Sequence, residues 1–215
     1  MFSYFGTKRR LITKYPDPKH KLIIEPFAGA AAYALRHWRN DVILIDSYEP
    51  LIKLWKYLQQ VQPKDILALP LVANGEKIPT YLAEEEQYLL GYCCNNASAY
   101  PKHVAGRMNF NSWHRDMGRI ADDLHKIRHW QIRLGNYDEI RNVPATWFVD
   151  PPYQVGGKYY PKHDIDYSAL ADWCINRVGQ VIVCERQGAD WLPFTHLAPA
   201  FGQRYLYNEV VWYKD

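Results

Sequence analysis

The chain has 215 residues, of which 48% are hydrophobic and 23% charged, and its formal net charge is +3. This length fits one sizeable core, and the composition is that of a folded globular protein rather than a disordered one. No apolar run approaches the ~20 residues needed to span a bilayer. The first residues, MFSYFGTKRRL, lack the apolar segment of a signal peptide. We therefore expect a soluble cytoplasmic protein with no membrane partner.

The basic residues are concentrated in two segments of an otherwise balanced chain. Residues 8–21 hold six lysines and arginines against one aspartate, and residues 102–133 hold seven against three aspartates. Such segments suit a polyanionic partner, although two solvated helix faces would have the same composition. The four cysteines show neither a C-x-x-C pair nor histidines at ligand spacing. They are typical of reduced structural thiols, and we expect no metal site.

Two strand–helix pairs open the chain. The apolar runs KLIIE (21–25) and DVILID (41–46) predict buried strands. AGAAAYALRHW (28–38) follows the first run and has strong helix propensity. SYEPLIKLWKYLQQ (47–60) follows the second, with apolar residues at helical spacing and Ser47 as its N-cap. This β-α-β-α order is typical of a parallel sheet with crossover helices.

The next segment, residues 61–129, breaks the alternation. It lacks strand-like runs and contains candidate helices near 81–95 and 113–129. We interpret it as a small helical insertion. Residues 1–60 and 130–215 are then predicted to form one open α/β sheet, from which the insertion hangs.

The carboxyl-terminal part of the chain returns to strand-like runs. Three of them predict strands: WQIRL (130–134), TWFVD (146–150) and QVIVCE (180–185). A helix near 167–177 separates the last two and continues the α/β alternation. The tail RYLYNEVVWYKD predicts a final antiparallel pair that turns near Asn208.

Three motifs fall at predicted strand ends: EPFAGA (25–30), LIDSY (44–48) and VDPPY (149–153). Ligands of an open parallel sheet bind outside the carboxyl ends of its strands. Gly29 lets the backbone pass close to a ligand, and Asp46 stands where nucleotide-binding sheets place a carboxylate for ribose hydroxyls. A tight turn without a ligand and a helix N-terminal charge are the alternatives for these two residues. Together the motifs favour a nucleoside-containing cofactor, either a dinucleotide or S-adenosylmethionine.

The Asp-Pro-Pro-Tyr stretch distinguishes these two cofactors. Pro151 and Pro152 make a rigid corner and remove two backbone N–H donors, which leaves bare carbonyl acceptors beside the Asp150 carboxylate. Asp150 and the Pro151 carbonyl could accept the two hydrogens of an exocyclic NH2 group, while Tyr153 stacks on the ring that bears it. Hydride transfer has no need of such a corner.

These motifs resemble those of the Dam-like (D12) DNA methyltransferases, which act on adenine N6 and follow the α-class motif order. YFGTK (4–8), EPFAGA, GNYDEI (135–140) and DPPY each match a landmark of the family, and GRMNFNSW (106–113) matches more loosely. Ala31 stands where the family often has a second glycine. The resemblance covers nearly the whole chain and implies a catalytic tetrad of Asp150, Pro151, Pro152 and Tyr153. It implies a cofactor set of Tyr4, Lys8, Glu25, Phe27, Gly29, Asp46, Asn136, Tyr137 and Asp150. It also implies DNA contacts by Arg107, Asn111 and Arg115.

The resemblance implies a Rossmann-like α/β sheet that binds S-adenosylmethionine, with DNA recognition in the insertion. The expected activity is site-specific transfer of a methyl group to adenine N6 in double-stranded DNA, directly and on a flipped-out base. We expect a monomer or weak dimer in the cytoplasm of a bacterial or phage-infected cell. Restriction-modification is one of the biological roles that fit this activity. Cytosine N4 in DNA and adenine in RNA stay open as targets. A non-catalytic nucleic-acid binder is a further alternative, and an NAD-dependent oxidoreductase is disfavoured.

Overall fold

The computed structural model describes residues 1–95, 98–106, 110–201 and 206–215. Within these ranges the chain forms one seven-stranded sheet. Its strands are β1 (Leu22–Glu25), β2 (Asp41–Asp46), β3 (Gln131–Leu134), β4 (Ala145–Val149), β5 (Gly179–Arg186), β6 (Thr195–Phe201) and β7 (Leu206–Lys214). The helices of the same ranges are α1 (Ala32–Arg36), α2 (Glu49–Gln60), α3 (Pro63–Leu67), α4 (Glu84–Cys93), α5 (Phe110–Ile127) and α6 (Tyr167–Ile175). Short 3₁₀ turns occur at Ile12–Lys14, Tyr137–Glu139 and Gly157–Tyr159.

The strands lie in the order β3-β2-β1-β4-β5-β7-β6. All pairs from β3 to β5 are parallel, and β7 is antiparallel to both β5 and β6. From β1 the chain first adds strands on one side and then, with β4, on the other, so that a topological switch point lies between β1 and β4. This arrangement confirms the predicted α/β, Rossmann-like fold class.

Alternating side chains divide the core between the two faces of the sheet. In β4, Phe148 contributes to one apolar cluster, whereas Trp147 and Val149 contribute to the other. Adjacent residues of β1, Ile23 and Ile24, are divided in the same way. Because both faces are covered, the strands read as nearly continuous apolar runs, which is why the sequence marks them clearly.

The insertion packs on the sheet domain rather than standing apart from it. The buried residues Trp113, Met117, Ile120, Leu124 and Ile127 follow one another at helical spacing along α5. They belong to the same apolar cluster as residues of β1, α2 and β4. Whether residues 61–129 also recognise DNA stays a prediction.

The chain reversal near Asn208 was predicted wrongly. Asn208 lies inside β7, opposite Pro199 of β6, and is therefore not at a turn. The missed strand is β6, whose sequence THLAPAF contains a proline. A proline argues against a central strand, but β6 is an edge strand, where the absent N–H donor is tolerated.

The two helices after β1 and β2 begin later than predicted. Helix α1 starts at Ala32, because Gly29 and Ala31 take left-handed backbone conformations with φ of +44° and +48°. Ser47 does not cap α2, whose preceding residue is Tyr48 and which has no side-chain N-cap. Instead, Asp46 accepts a hydrogen bond from the Tyr48 N–H at 2.9 Å.

Two further expectations concern membranes and thiols. In the described ranges no helix is both long and apolar enough to cross a membrane. Cys93, Cys94, Cys174 and Cys184 are all buried and none forms a disulfide.

Candidate functional site

A cavity of about 980 Å³ opens at the carboxyl ends of β1 to β4. It lies at the switch point, where crossovers leave the sheet in opposite directions and create a crevice. All the residues predicted to bind a cofactor line it: Tyr4, Lys8, Glu25, Phe27, Gly29, Asp46, Asn136, Tyr137 and Asp150. The fold therefore brings motifs from distant parts of the chain into one site.

The turn after β1 supplies a buried carboxylate to the cavity. Glu25 ends the strand and is 2% exposed, and its Oε1 accepts a hydrogen bond from the Ala34 N–H of α1 at 2.6 Å. Burial raises the pKa of Glu25 to about 8, although the hydrogen bond from Ala34 opposes the shift. A cationic ligand would favour the ionised form of this group.

The end of β2 supplies a second carboxylate that also fixes the backbone. Asp46 accepts hydrogen bonds from the N–H groups of Tyr48 at 2.9 Å and Gly29 at 3.4 Å. Burial raises the pKa of Asp46 to about 6, and these backbone donors oppose the shift. The sequence suggested that Asp46 either binds a ligand or stabilises the start of α2. The two roles are compatible, because the carboxylate bonds the turns after both β1 and β2 and also lines the cavity.

Aromatic rings line the cavity near β3. Phe27 and Tyr137 lie stacked, with ring centroids 5.5 Å apart and an interplanar angle of 29°. Trp173 of α6 contacts the Tyr137 ring edge-on at 5.4 Å. The neighbouring Asn136 caps the 3₁₀ turn with Glu139. This part of the cavity offers flat apolar surface to a planar ring.

The Asp150 carboxylate forms a buried ion pair. Lys8 Nζ donates to Asp150 Oδ1 at 2.8 Å and to Oδ2 at 3.0 Å, and its side chain is 5% exposed. Burial raises the pKa of Asp150 above its usual value, while Lys8 opposes the shift. Burial by itself lowers the pKa of Lys8, but Asp150 and Glu209 outweigh it and hold that pKa well above its usual value. Each charge of the pair thus favours the ionised form of the other.

Glu209 was not predicted as a site residue. It lies in β7 with 0% exposure, and its Oε1 is 3.7 Å from Lys8 Nζ. The same oxygen accepts hydrogen bonds from the hydroxyl groups of Tyr15 at 2.7 Å and Tyr153 at 2.5 Å. A single acid before the apolar run Val-Val-Trp was the available sequence signal. Its partners come from distant segments, so its contacts could not be predicted from the sequence.

The proline corner is held from two sides. The Pro152 carbonyl accepts a hydrogen bond from the Tyr167 hydroxyl of α6 at 2.8 Å. The N–H of Gln154 donates to Glu185 Oε1 at 2.7 Å. Glu185 is buried and is the penultimate residue of β5. Among the described residues no hydrogen bond reaches the Pro151 carbonyl, which was the acceptor predicted to bind an amine.

Tyr153 and Pro151 do not line the cavity, in contrast to Asp150 and Pro152. The Tyr153 ring lies beneath the ammonium of Lys8, 4.7 Å from its centroid. Its hydroxyl is engaged by Glu209. Its direct contacts are therefore with the charged cluster, and stacking on a substrate ring stays a prediction.

An aromatic cluster closes one side of the cavity and joins the N-terminal segment to the loop after the proline corner. The Tyr160 hydroxyl donates to the Phe5 carbonyl at 3.2 Å, and its ring lies 5.4 Å from Phe5 and 6.2 Å from Tyr4. Gly6 has φ of +72°, and a Cβ there would collide with the Tyr160 hydroxyl group. Both features favour glycine at this position.

The cavity has an excess of negative charge. Among the described residues, its acidic side chains are Glu25, Asp46, Glu49, Asp138, Asp150, Asp164 and Asp166. Its lysines are Lys8 and Lys162. A lining of seven carboxyl groups and two ammonium groups favours a ligand that carries positive charge and disfavours phosphates.

Of the residues predicted to contact DNA, Arg115 does not line this cavity. Arg115 lies on α5, is 71% exposed and has a 3.5 Å ion pair with Asp116. Asn111 falls in the first turn of α5, and Arg107 lies outside the described residues. In the described ranges no cluster of His, Cys, Asp and Glu side chains is placed to hold a metal ion.

No protein-family model matches the chain, and no curated protein matches it. Among the solved structures that match is yhhF of Escherichia coli, which is described as a methyltransferase on provisional grounds. The two chains are 12% identical with a TM-score of 0.37, and the match covers 95% of this chain and 78% of that chain. A likeness of this size carries no argument about function, so the assignment rests on the residues of the cavity.

Proposed function

We propose that this protein is an S-adenosylmethionine-dependent methyltransferase that transfers a methyl group to N6 of adenine in DNA. The observation that carries the proposal is the position of Asp150, which stands in the same cavity as the glycine turn and the carboxylates of Glu25 and Asp46. One side of the cavity is thus suited to a nucleoside-containing cofactor, and the corner beside it is suited to an amine.

The charge of the lining supports S-adenosylmethionine over a dinucleotide. A dinucleotide carries two phosphates and would face the excess of carboxylates, whereas the sulfonium and ammonium groups of S-adenosylmethionine are cationic. When bound, this cofactor supplies an electrophilic methyl group. Asp46 would accept from its ribose hydroxyls, Glu25 would face its positive charge, and the Phe27–Tyr137 surface would take its adenine. The turn contains one glycine where a phosphate-binding loop has three.

The proline corner supports an amine acceptor. Asp150 and the free Pro151 carbonyl can each accept one hydrogen of an exocyclic NH2 group, which raises the electron density on its nitrogen. The Asp150 carboxylate also lies where positive charge develops as that nitrogen becomes alkylated. The methylated nitrogen must then release one proton. Asp150 would accept this proton from the amine docked on it, since burial raises the pKa of this carboxyl.

The basic segments support DNA as the carrier of the amine. An adenine N6 lies inside the duplex, so the base must leave the stack to reach a corner at the bottom of a crevice. Exposed cations outside the cavity lining, such as Arg115 of the second basic segment and Lys158, could then hold the phosphates. Binding through phosphates would weaken steeply as the salt concentration rises.

A labelling experiment tests the proposal. The purified protein is incubated with tritiated S-adenosylmethionine and, separately, with unmethylated bacterial genomic DNA and with unmethylated RNA. Label recovered on N6-methyladenine of the DNA supports the proposal. Label on cytosine N4, or on RNA, identifies a methyltransferase with another acceptor. DNA binding without any label identifies a non-catalytic binder and contradicts the proposal.

A further inference from the structure

The ammonium of Lys8 has a second carboxylate within reach, and the proposed mechanism gives that carboxylate no role. We propose that Glu209 is a positioning residue, which receives Lys8 when an amine docks on Asp150. The inference rests on the proposed function, because it assigns a role to Glu209 in that same reaction.

Lys8 now uses its donors on other acceptors. Its three N–H groups point to Asp150 Oδ1 at 2.8 Å, Asp150 Oδ2 at 3.0 Å and the Gly6 carbonyl at 3.2 Å. Glu209 Oε1 lies at 3.7 Å, within ion-pair range but too far for a hydrogen bond. Lys8 thus covers both oxygens of the carboxylate to which the amine must donate.

Glu209 is a buried carboxyl with fixed partners. Two hydroxyl groups, those of Tyr15 and Tyr153, donate to its Oε1. Its Oε2 has no hydrogen-bond partner among the described residues. The other titratable groups that face it are Asp150, Cys184, Tyr207 and the Lys8 ammonium. Lys8 supplies the positive charge that compensates this buried carboxylate.

A docked amine would compete with Lys8 for the lone pairs of Asp150. A buried ammonium that lost a hydrogen bond without replacement would incur a large desolvation penalty. Glu209 removes that penalty, since a shift of about 1 Å would bring Lys8 Nζ to ordinary hydrogen-bond distance from Oε1. The shift keeps the ammonium over the Tyr153 ring, which lies beneath it now. Asp150 then offers its lone pairs to the amine, and the ammonium of Lys8 keeps a carboxylate partner in Glu209.

The alternative is that Glu209 only ties β7 to Tyr15 and Tyr153. Such a structural role depends on hydrogen-bond acceptance, whereas the transfer of Lys8 depends on negative charge. Glu209→Gln keeps an acceptor oxygen and removes the charge. Tyr15→Phe removes one hydrogen bond to Oε1 and leaves the charge in place, so it is the matched control.

The test measures kcat and KM of the wild type, Glu209→Gln and Tyr15→Phe on unmethylated bacterial genomic DNA with tritiated S-adenosylmethionine. We expect Glu209→Gln to lower kcat about tenfold or more, the usual effect of losing a charged hydrogen-bond partner, with KM for S-adenosylmethionine unchanged. Tyr15→Phe should change kcat less than about threefold. A large loss of kcat in Glu209→Gln with a small one in Tyr15→Phe indicates that Lys8 moves to Glu209. A structural role of Glu209 would lower kcat in both variants alike.

Three outcomes would overturn the inference. A kcat of Glu209→Gln equal to that of the wild type removes Glu209 from the reaction and leaves the proposed function intact. Equal losses in Glu209→Gln and Tyr15→Phe show a structural role. A wild type that methylates no DNA contradicts the proposed function and the inference together. If Glu209→Gln does not fold, Glu209→Asp replaces it, because it keeps the charge one methylene farther from Lys8 and should lower kcat with the same split.

Discussion

The cavity and helix α5 are both rich in charged residues, but they use those charges in opposite ways. In the cavity, acidic side chains such as those of Glu25, Asp46 and Asp150 face an open space. Along and after α5, cations bind acceptors of the chain itself. Arg119 donates to the Met1 carbonyl at 3.2 Å, and Lys126 contacts Asp123 at 2.5 Å.

Arg128 shows most clearly how a cation of this region is used. It donates to the carbonyls of Gln59 and Val61 at the C-terminal end of α2. In return, the Gln59 amide donates to the carbonyls of Ile127 and Trp130 at the end of α5. Each helix end thus supplies the partners that the other end lacks. A count of basic residues in the sequence does not distinguish such a helix cap from a DNA contact. The cavity residues, in contrast, can be recognised in the sequence because they lie at strand ends.

The largest expected effect comes from breaking the cavity at its corner. Asp150→Ala should lower kcat by at least about 10²–10³-fold, because it removes the negative charge that stabilises the positive charge developing on the amine. The measurement is methyl transfer to genomic DNA. Asp164→Ala is the control, since Asp164 lines the same cavity but is exposed on a loop. Activity in folded Asp150→Ala close to that of the wild type would contradict the proposed role of the corner.

The next effect concerns the buried carboxylate of the β1 turn. Between the usual pKa of 4.5 and about 8, the folded protein keeps the Glu25 proton that the unfolded chain has lost. Stability conferred by this group is therefore present below pH 4.5 and lost as the pH rises to about 8. Glu25→Gln should remove this loss, so that at pH 8 its free energy of unfolding exceeds that of the wild type by several kcal/mol. A tenfold change in proton affinity is worth about 1.4 kcal/mol.

Urea unfolding at pH 5, 6.5 and 8 checks the Glu25 prediction. Glu49→Gln serves as the control, because Glu49 is an exposed carboxyl that lines the same cavity. A difference between Glu25→Gln and the wild type that does not grow with pH would show that Glu25 is already ionised in the folded protein. Weaker binding of S-adenosylmethionine by Glu25→Gln would support the proposed role of Glu25 in cofactor binding.

A pair of arginine variants sharpens the contrast with α5. Arg128→Ala should lower the free energy of unfolding by about 1 kcal/mol, because the last carbonyls of α2 lose their donors, and should leave DNA binding unchanged. Arg115→Ala should leave stability within about 0.5 kcal/mol, since an exposed ion pair is worth little. If Arg115 contacts a phosphate, Arg115→Ala should also lower the slope of log K for DNA binding against log salt concentration by about one unit. The reverse assignment of effects would show that the charge of Arg128, and not its hydrogen bonds, matters.

Much of the fold and the cavity could be predicted because their signals are local. A strand buried on both faces is a continuous apolar run, and a ligand residue of such a sheet directly follows one, as Asp46 and Asp150 do. The contacts of Glu209 could not be predicted, because they join β7 to segments some two hundred residues earlier in the chain. Nor could the place of Tyr153, whose hydroxyl is directed by Glu209 and not by the prolines beside it.

The smallest expected effect lies in the turn that forms the floor of the cavity. Ala31 adopts φ of +48°, a conformation that costs an L-residue about 1–2 kcal/mol. Ala31→Gly relieves this strain but gives up a buried methyl group worth about 0.8 kcal/mol and frees the unfolded chain. The balance should be a gain of about 0.5 kcal/mol or less in urea unfolding. The control Ala32→Gly, one residue later and at the start of α1, should instead lose about 1 kcal/mol, because it lowers helix propensity and relieves no backbone strain. Equal losses in both variants would mean that the packing of the Ala31 methyl outweighs its backbone strain, so that core packing favours alanine at this position.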